Sequence, residues 1–134
     1  METIKLLKPE GLVISPAFSH VAVIPPGATT ILIGGQNAVD ADGALVGGGD
    51  VGAQTTQVMK NLKTALAAAG ASMSDVVSLT LFAVHGIDLN DGYAVAAQSL
   101  DPASDPPLIA AAMVPALGLP GALVELSAVA AVIR

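Results

Sequence analysis

Alternating apolar and polar positions predict two β-strands near the start of the chain, in the runs SHVAVI and TTILIGG. In the second run Ile31 and Ile33 fall on one side, which is the pattern of a strand buried on at least one face. The sequence PPGA between the two runs holds the proline and glycine typical of a turn. The pattern therefore predicts that the two runs pair as a β-hairpin.

The hydrophobic period changes to that of a helix after the glycine-rich loop DADGALVGGGD. Asp50 stands where a helix N-cap belongs, and Gly70 supplies a C-terminal stop. Lys60 and Lys63 lie on the polar side of this segment. The other side is predicted to pack on a sheet and consists of Val51, Thr55, Val58, Leu62, Ala65, Leu66 and Ala69.

Three further strands and a second helix complete the predicted fold. The run VVSLTLFAV alternates as a strand does, a helix is expected from Leu89 to Leu100, and LIAAAMVPAL and GALVELSAVAAVI predict the last two strands. The resulting order, β-β-α-β-α-β-β, predicts an α+β fold in which helices cover one face of a mixed sheet. With 134 residues the chain is expected to form a single domain over residues 1–134.

The last predicted strand carries a carboxylate, Glu125, among apolar residues. Glu125 shares its face with Leu123, Ser127 and Val129, while the alternate residues are all apolar and are expected to meet the helices. A carboxylate in such a strand must accept hydrogen bonds or remain hydrated, or else its pKa must rise. Each of these conditions suits a general base. The alternative is a solvated sheet face, where a glutamate is common without any catalytic role.

Composition and charge narrow the classes of partner. Hydrophobic residues make up 53% of the chain and charged residues only 12%. One subunit can hardly cover so much apolar surface, and a homo-oligomer is therefore expected. The net charge of −6, with a single arginine, leaves no basic stripe for nucleic acid or for an anionic membrane.

The sequence also limits covalent chemistry and location. The chain contains no cysteine, which excludes disulfides, thiolate catalysis and zinc–cysteine sites. No run approaches the roughly 20 apolar residues of a membrane span, and METIKLLKPEGL lacks the apolar core and cleavage site of a secretion signal. A cytoplasmic protein is expected.

Histidines and glycines are the remaining candidates for a site. No Asp, Glu or His recurs around His85 at ligand spacing, so no metal site is predicted. A lone histidine at a strand start is commonly a surface residue, and His20 becomes a candidate only together with other residues.

Gly34 and Gly35 end a predicted strand, where glycine lets backbone N–H groups approach a ligand, although a tight turn explains them equally well. The sequence GGGD is not followed by Lys-Ser/Thr, which excludes a phosphate loop.

Four motifs follow one another along the chain: TTILIGGQNAVDADGALV, GDVGAQTTQVMKNLKTALAAAGASMSDVVSLTLFAV, LNDGYAV and LPGALVELSAVAAV. Together they resemble the RidA/YjgF family of reactive-intermediate (enamine/imine) deaminases, from about His20 to the C-terminus. The resemblance implies a chorismate-mutase-like α+β fold and a homotrimer whose sheets form a central barrel. It also implies small-molecule clefts between adjacent subunits and no metal or organic cofactor.

The resemblance assigns roles to individual positions. In active family members a glutamate on the last strand orients the water that hydrolyses a 2-imino acid to a 2-keto acid and ammonia, while an arginine on the preceding strand holds the substrate carboxylate. Glu125 matches the glutamate, whereas the arginine position, counted back from LP, falls on Ala111, give or take a residue. The family's tyrosine corresponds to His20, its serine to Gly34, and the small residue or cysteine after the arginine to Met113.

Two functions remain open at this level. Without the arginine, a carboxylate substrate loses charge-assisted hydrogen bonds of about 1.5–3 kcal/mol each. One hypothesis is a divergent RidA-like hydrolase that acts on a small imine or enamine, with Glu125 and His20 in the cleft. The other is a non-catalytic, small-molecule-binding trimer that has lost the deaminase activity. A ribonuclease role is hard to reconcile with the net charge of −6.

Overall fold

The computed structural model describes residues 2–134, which form six β-strands and two α-helices in the order β-β-β-α-β-α-β-β. A short 3₁₀ turn, Met73–Asp75, precedes the fourth strand. In chain order the elements are β1 (Lys5–Leu7), β2 (Val21–Val23), β3 (Thr29–Gln36), α1 (Val51–Ala68), β4 (Val76–Val84), α2 (Asn90–Ala97), β5 (Leu108–Val114) and β6 (Val124–Val132).

Four strands form one mixed sheet in the order β3, β6, β4, β5. β6 runs antiparallel to both of its neighbours, whereas β4 and β5 are parallel. A parallel pair needs a crossover connection, and α2 lies in the segment that connects β4 to β5. α1 packs against β3, β6 and α2. The α+β fold with a mixed sheet and two helices is confirmed.

Alternation along β6 produces the two faces that the sequence predicts. Val124, Leu126, Ala128 and Ala130 are buried in the core between the sheet and the helices. Glu125 lies between two of these residues and is half-buried on the other face. We refer to that other face, which the helices do not cover, as the open face of the sheet.

The predicted hairpin between the first two apolar runs is wrong. β2 pairs with β1, with Val21 opposite Leu7, whereas β3 pairs with β6, with Thr29 opposite Val132. Ile31 and Ile33 of β3 belong to the core under α1, and the nine-residue β6 completes that core better than the three-residue β2 can. β1 is a strand that the sequence did not predict, because three residues are too few to show an alternation of apolar and polar positions.

α1 is bounded by the residues that the sequence predicts. Oδ1 of Asp50 accepts a hydrogen bond from N of Ala53 at 3.1 Å, and Gly70 adopts φ +73° just beyond the helix, a conformation favourable only to glycine. The Arg134 side chain donates a hydrogen bond to the carbonyl O of Ala69. That bond satisfies one of the carbonyl groups left free at a helix end.

The second helix and the last two strands are shorter than predicted. α2 spans Asn90–Ala97, and the residues up to Leu100 form turns in which N–H groups bond three residues back. β5 ends at Val114, where Pro115 follows and supplies no N–H to the ladder. β6 begins at Val124, three residues later than predicted. Neither helix of residues 2–134 is long and apolar enough to span a bilayer.

Candidate functional site

Glu125 is the only ionisable side chain in the four-stranded sheet. It lies on β6 opposite Phe82 of β4, half-buried on the open face. Partial burial removes part of the hydration of a carboxylate, which must then be replaced by hydrogen bonds or retained water. The neighbours of this carboxylate therefore define the candidate site.

Gly35 lies directly against the Glu125 side chain. The ladder between β3 and β6 changes register between Ile33 and Gln36, where the two glycines lie. A Cβ atom at position 35 would lie 2.9 Å from Cδ and 3.0 Å from Oε2 of Glu125, well inside the about 3.5–4.0 Å at which carbon atoms pack. Apart from its two chain neighbours, no atom of the described residues lies within 4 Å of a Cβ placed at Gly34. Gly35 therefore provides the space for the carboxylate, and Gly34 leaves open space at the surface.

Side-chain amides connect α1 to the carboxylate. Nδ2 of Asn37 lies 3.4 Å from Oε1 of Glu125. Nδ2 of Asn61, on α1, donates hydrogen bonds to the carbonyl oxygens of Asn37 at 3.0 Å and Val39 at 2.8 Å. Gln57 donates to Oδ1 of Asn61 at 2.9 Å. α1 thereby holds Asn37 next to Glu125.

The sequence reasoning missed these amides. Gln57 and Asn61 are four residues apart and half-buried beside the apolar stripe of α1. Residues with this spacing are neighbours on a helix surface, so a polar pair next to a buried stripe was a usable signal. Asn37 had the weaker signal of following the GGQ strand end directly.

Gln54 is a fourth polar residue that the sequence reasoning missed, and it fixes the start of β6. Its side chain is fully buried on α1, at 0% exposure. Nε2 donates to the carbonyl oxygens of Gly48 at 2.6 Å and Gly121 at 2.9 Å, and Oε1 accepts from N of Leu123 at 2.8 Å. A buried amide with all these partners stabilises the strand entrance two residues before Glu125.

Ala111 and Met113 lie on the other side of the sheet from Glu125 within one protomer. In the parallel ladder Ala111 is opposite Leu81, and Met113 is opposite the core residue Ala83. Directly opposed residues point to the same face, so both side chains point toward the helix side of the edge strand. Both are exposed. The protomer therefore does not bring these two positions together with Glu125.

His20 also lies away from Glu125 in the protomer. It follows Ser19, which forms an isolated parallel bridge with Leu108 at the β5 edge of the sheet. β5 and β4 both lie between this edge and β6. The His20 ring hydrogen-bonds through Nε2 to the carbonyl O of Val13 at 2.7 Å. Its edge meets the ring of Phe18 at a centroid distance of 5.4 Å.

Within residues 2–134, no lysine or arginine lies at the place of the family arginine. The four-stranded sheet contains no lysine or arginine. Arg134 is engaged at the C-terminal end of α1, and β6 separates it from Glu125 by about 20 Å or more at a strand rise of about 3.3 Å per residue. Residues 2–134 also contain no cluster of three or more His, Cys, Asp or Glu side chains that could hold a metal ion.

Comparisons with known proteins agree with this architecture. The Rid protein YyfB of Yersinia pestis, a protein of unknown function, is 38% identical, with a TM-score of 0.81 over 95% of this chain and 97% of that chain. The yeast protein YEO7 is 27% identical, with a TM-score of 0.67 over 98% of this chain and 100% of that chain.

A curated relative matches a shorter segment. A RutC family protein of Pyrococcus abyssi is 39% identical over 61 residues, which are 46% of this chain and 46% of that protein. The match thus spans about half the length of that relative. The family model described as endoribonuclease L-PSP, in contrast, matches residues 13–132. The chain therefore belongs to the endoribonuclease L-PSP family, the RidA/YjgF family that its motifs resemble.

Proposed function

We propose that the protein is a RidA-like hydrolase that deaminates a small imine or enamine, with Glu125 positioning the attacking water. The environment of Glu125 carries the proposal, since the only ionisable group of the sheet is half-buried against Gly35 and within 3.4 Å of the Asn37 amide. With Oε1 near that amide, Oε2 remains to accept a hydrogen bond from water. Such a carboxylate can act as a general base.

The proposed reaction balances without a cofactor. Glu125 takes a proton from water as the water oxygen bonds to the imine carbon, and it passes that proton to the nitrogen as the C=N double bond becomes single. Glu125 then takes the hydroxyl proton of the resulting carbinolamine and delivers it to the nitrogen, which leaves as ammonia when the C–N bond breaks and the C=O double bond forms. One imine and one water yield one carbonyl compound and one ammonia.

The missing cation limits the substrate class. A carboxylate on the substrate would meet the negative charge of Glu125 and no guanidinium, because position 111 is alanine. In a partly desolvated cleft two like charges repel by several kcal/mol, and nothing offsets this repulsion. We therefore propose an imine or enamine without a carboxylate as the substrate.

The proposed cleft lies between subunits of a homotrimer, each a single domain over residues 1–134. Two observations support a second copy at the site. Leu32 is 77% exposed on the open face, opposite Val129, and the neighbouring residues of this face on β6 and β4 are apolar or weakly polar apart from Glu125, which makes a contiguous patch of the kind that marks interfaces. Glu125 lies on β6, whereas His20 lies just before β2, beyond the β5 edge of the sheet, so one cleft can contain both only if adjacent protomers contribute them.

A non-catalytic binding trimer is the second candidate function, and the alanine at position 111 favours it. In that case the cleft would retain its shape and its affinity for a small molecule without turnover. The family description names an endoribonuclease, but a net charge of −6 opposes binding to the phosphate backbone of RNA.

Ammonia release from freshly generated imines tests the proposal. An amino acid oxidase acting on alanine supplies 2-iminopropionate, and a flavin amine oxidase acting on benzylamine supplies an imine without a carboxylate. We expect wild-type protein to accelerate ammonia release from the second imine. Glu125→Gln should lower that rate by at least about 100-fold, the contribution of a general base. Ala111→Arg should gain activity on 2-iminopropionate, because in the proposed trimer position 111 of the adjacent protomer borders the cleft.

Ser127→Ala is the matched control, because Ser127 lies two residues from Glu125 on the same face of β6 and is also half-buried. It should retain the wild-type rate. Rates equal to the uncatalysed reaction for wild type on both imines would contradict the hydrolase proposal. If Glu125→Gln then still bound the ligand with unchanged affinity, the binding trimer would be the better description.

A further inference from the structure

A cavity of about 180 Å³ lies between the sheet and the two helices. Its walls include Leu79, Leu81 and Ile109 of the sheet, Met59 of α1 and Ala96 of α2. These residues belong to the helix-covered side of the sheet, whereas Glu125 lies on the open face. The cavity is therefore separate from the candidate site described above.

The position of α2 and its small side chains explain why this volume is not filled. α2 approaches α1 closely at Gly92, where a Cβ atom would lie 2.9 Å from Oγ1 of Thr55. That close contact fixes the position of the short helix. Besides Tyr93 at the rim, the other positions of α2 that border the cavity are Ala96 and Ala97, whose single methyl groups reach less far into the core than a leucine or phenylalanine would.

The cavity wall offers no charge and almost no hydrogen-bonding group. Of its fourteen lining residues, only Thr55 and Tyr93 carry an oxygen or nitrogen in the side chain. The Thr55 hydroxyl already donates to the carbonyl O of Val51 at 2.7 Å, and Tyr93 is 62% exposed at the rim. An ion or a strongly polar molecule would lose its hydration in this cavity without compensation.

The cavity has an entrance from solvent. Beside it lies a surface groove rich in serine and aspartate side chains. Four residues border both the groove and the cavity: Ala17, Tyr93, Ala97 and Leu100. A small molecule can therefore pass from a hydrated groove into the apolar interior at the exposed ring of Tyr93.

We propose that this cavity is a binding site for a small, uncharged, apolar molecule of about the size of a benzene ring. An engineered apolar cavity of about 150 Å³ binds benzene, whereas drug-sized ligands need pockets of about 300–1,000 Å³. At about 180 Å³ the cavity fits a single ring with short substituents. Such an occupant supplies the dispersion contacts that the cavity wall lacks.

This site does not depend on the proposed hydrolase function. Val124 and Leu126 line the cavity, and the intervening Glu125 points to the opposite face of β6. Occupancy of the cavity can therefore be measured without any assay of imine hydrolysis.

Methyl NMR of the full chain tests the site with benzene as the probe. Benzene should cause saturable shifts of the methyl groups of Leu79, Leu81 and Val124, and it should raise the Tm in a concentration-dependent manner. Benzoate, which has the same ring and a charge, should do neither. The site is refuted if benzene causes no saturable shift up to its solubility, or if benzoate binds as tightly as benzene.

A cavity-filling variant adds an independent measurement. Ala96→Leu places three more carbon atoms in the cavity and should weaken benzene binding at least tenfold. Ala94→Leu, on the exposed side of the same helix, should keep the wild-type affinity. Unchanged affinity in Ala96→Leu would overturn the proposal. If Ala96→Leu did not fold, the wild-type methyl shifts and the comparison with benzoate would decide by themselves.

Discussion

At the scale of single residues, the Glu125 carboxylate depends on Gly35 and Asn37. Gly35 leaves the volume that the carboxylate needs, and Asn37 places an amide nitrogen near Oε1. Glu125 itself could be predicted, because a single charge within an apolar strand is visible in the sequence. Its contact with Asn37 could not, since the two residues are 88 positions apart and only the pairing of β3 with β6 brings them together.

Gly35→Ala tests the close contact at this site. The new methyl group would lie 2.9 Å from Cδ of Glu125, so the flexible glutamate must leave its rotamer at a cost of about 0.5–1.5 kcal/mol. We therefore expect a small loss of thermal stability and a much larger loss of the proposed ammonia-releasing activity. Calorimetry and the imine assay measure the two effects separately.

Gly34→Ala is the control for this substitution. In the part of the chain that the structure describes, no atom beyond the two neighbouring residues lies within 4 Å of the added methyl group. The position of Glu125 should therefore be unchanged, and activity should fall less than in Gly35→Ala. Equal losses in both variants would mean that contact with Glu125 is not what makes Gly35 important.

At the scale of secondary structure, α1 both covers the core and positions the segment after β3. Its existence and bounds followed from local signals, namely the helical apolar period, the Asp50 cap and Gly70. The hairpin prediction failed because strand pairing depends on which distant strand completes the core. A turn such as PPGA permits β2 and β3 to separate as readily as to pair.

Asn61→Ala tests the role of α1 as a positioning element. The substitution removes hydrogen bonds to the carbonyl oxygens of Asn37 and Val39, each contributing about 0.5–1.5 kcal/mol. We expect the free energy of unfolding to fall by about 1–3 kcal/mol, and kcat of the proposed reaction to fall with little change in KM. Denaturant unfolding and steady-state kinetics measure these quantities.

Thr64→Ala provides the comparison on the same helix. The Thr64 hydroxyl donates to the carbonyl O of Lys60 on an exposed surface, so its removal should affect neither stability nor kcat appreciably. A purely structural role for Asn61 would leave kcat at the wild-type value once the protein is folded, and this result would contradict the positioning role.

At the scale of the whole molecule, the open face of the sheet is the surface through which we propose that protomers assemble. Leu32 projects from it with 77% exposure, and the rest of this face in β4 and β6 is small, apolar or weakly polar apart from Glu125. Such a face gains free energy when a second copy covers it.

Leu32→Lys tests the proposed trimer. A lysine in an apolar interface would be an unpaired buried charge, so we expect analytical ultracentrifugation to show a trimer for wild type and a monomer for Leu32→Lys. Ala67→Lys, on the exposed surface of α1, should remain trimeric. A monomeric wild type would exclude an intersubunit site and would leave Glu125 on a solvated surface.

The sequence by itself determined the α+β class, α1 with its caps, the two faces of β6 and membership of the family. These features depend on the spacing of apolar residues, on capping residues and on motifs, and each of these signals lies within a short stretch of neighbouring residues. Only the tertiary structure decided the pairing of β3 with β6, the contacts of Glu125 with Gly35 and Asn37, the buried Gln54 and the cavity under α2. Those features depend on distances between residues that are far apart in sequence, and such distances exist only after the core has packed.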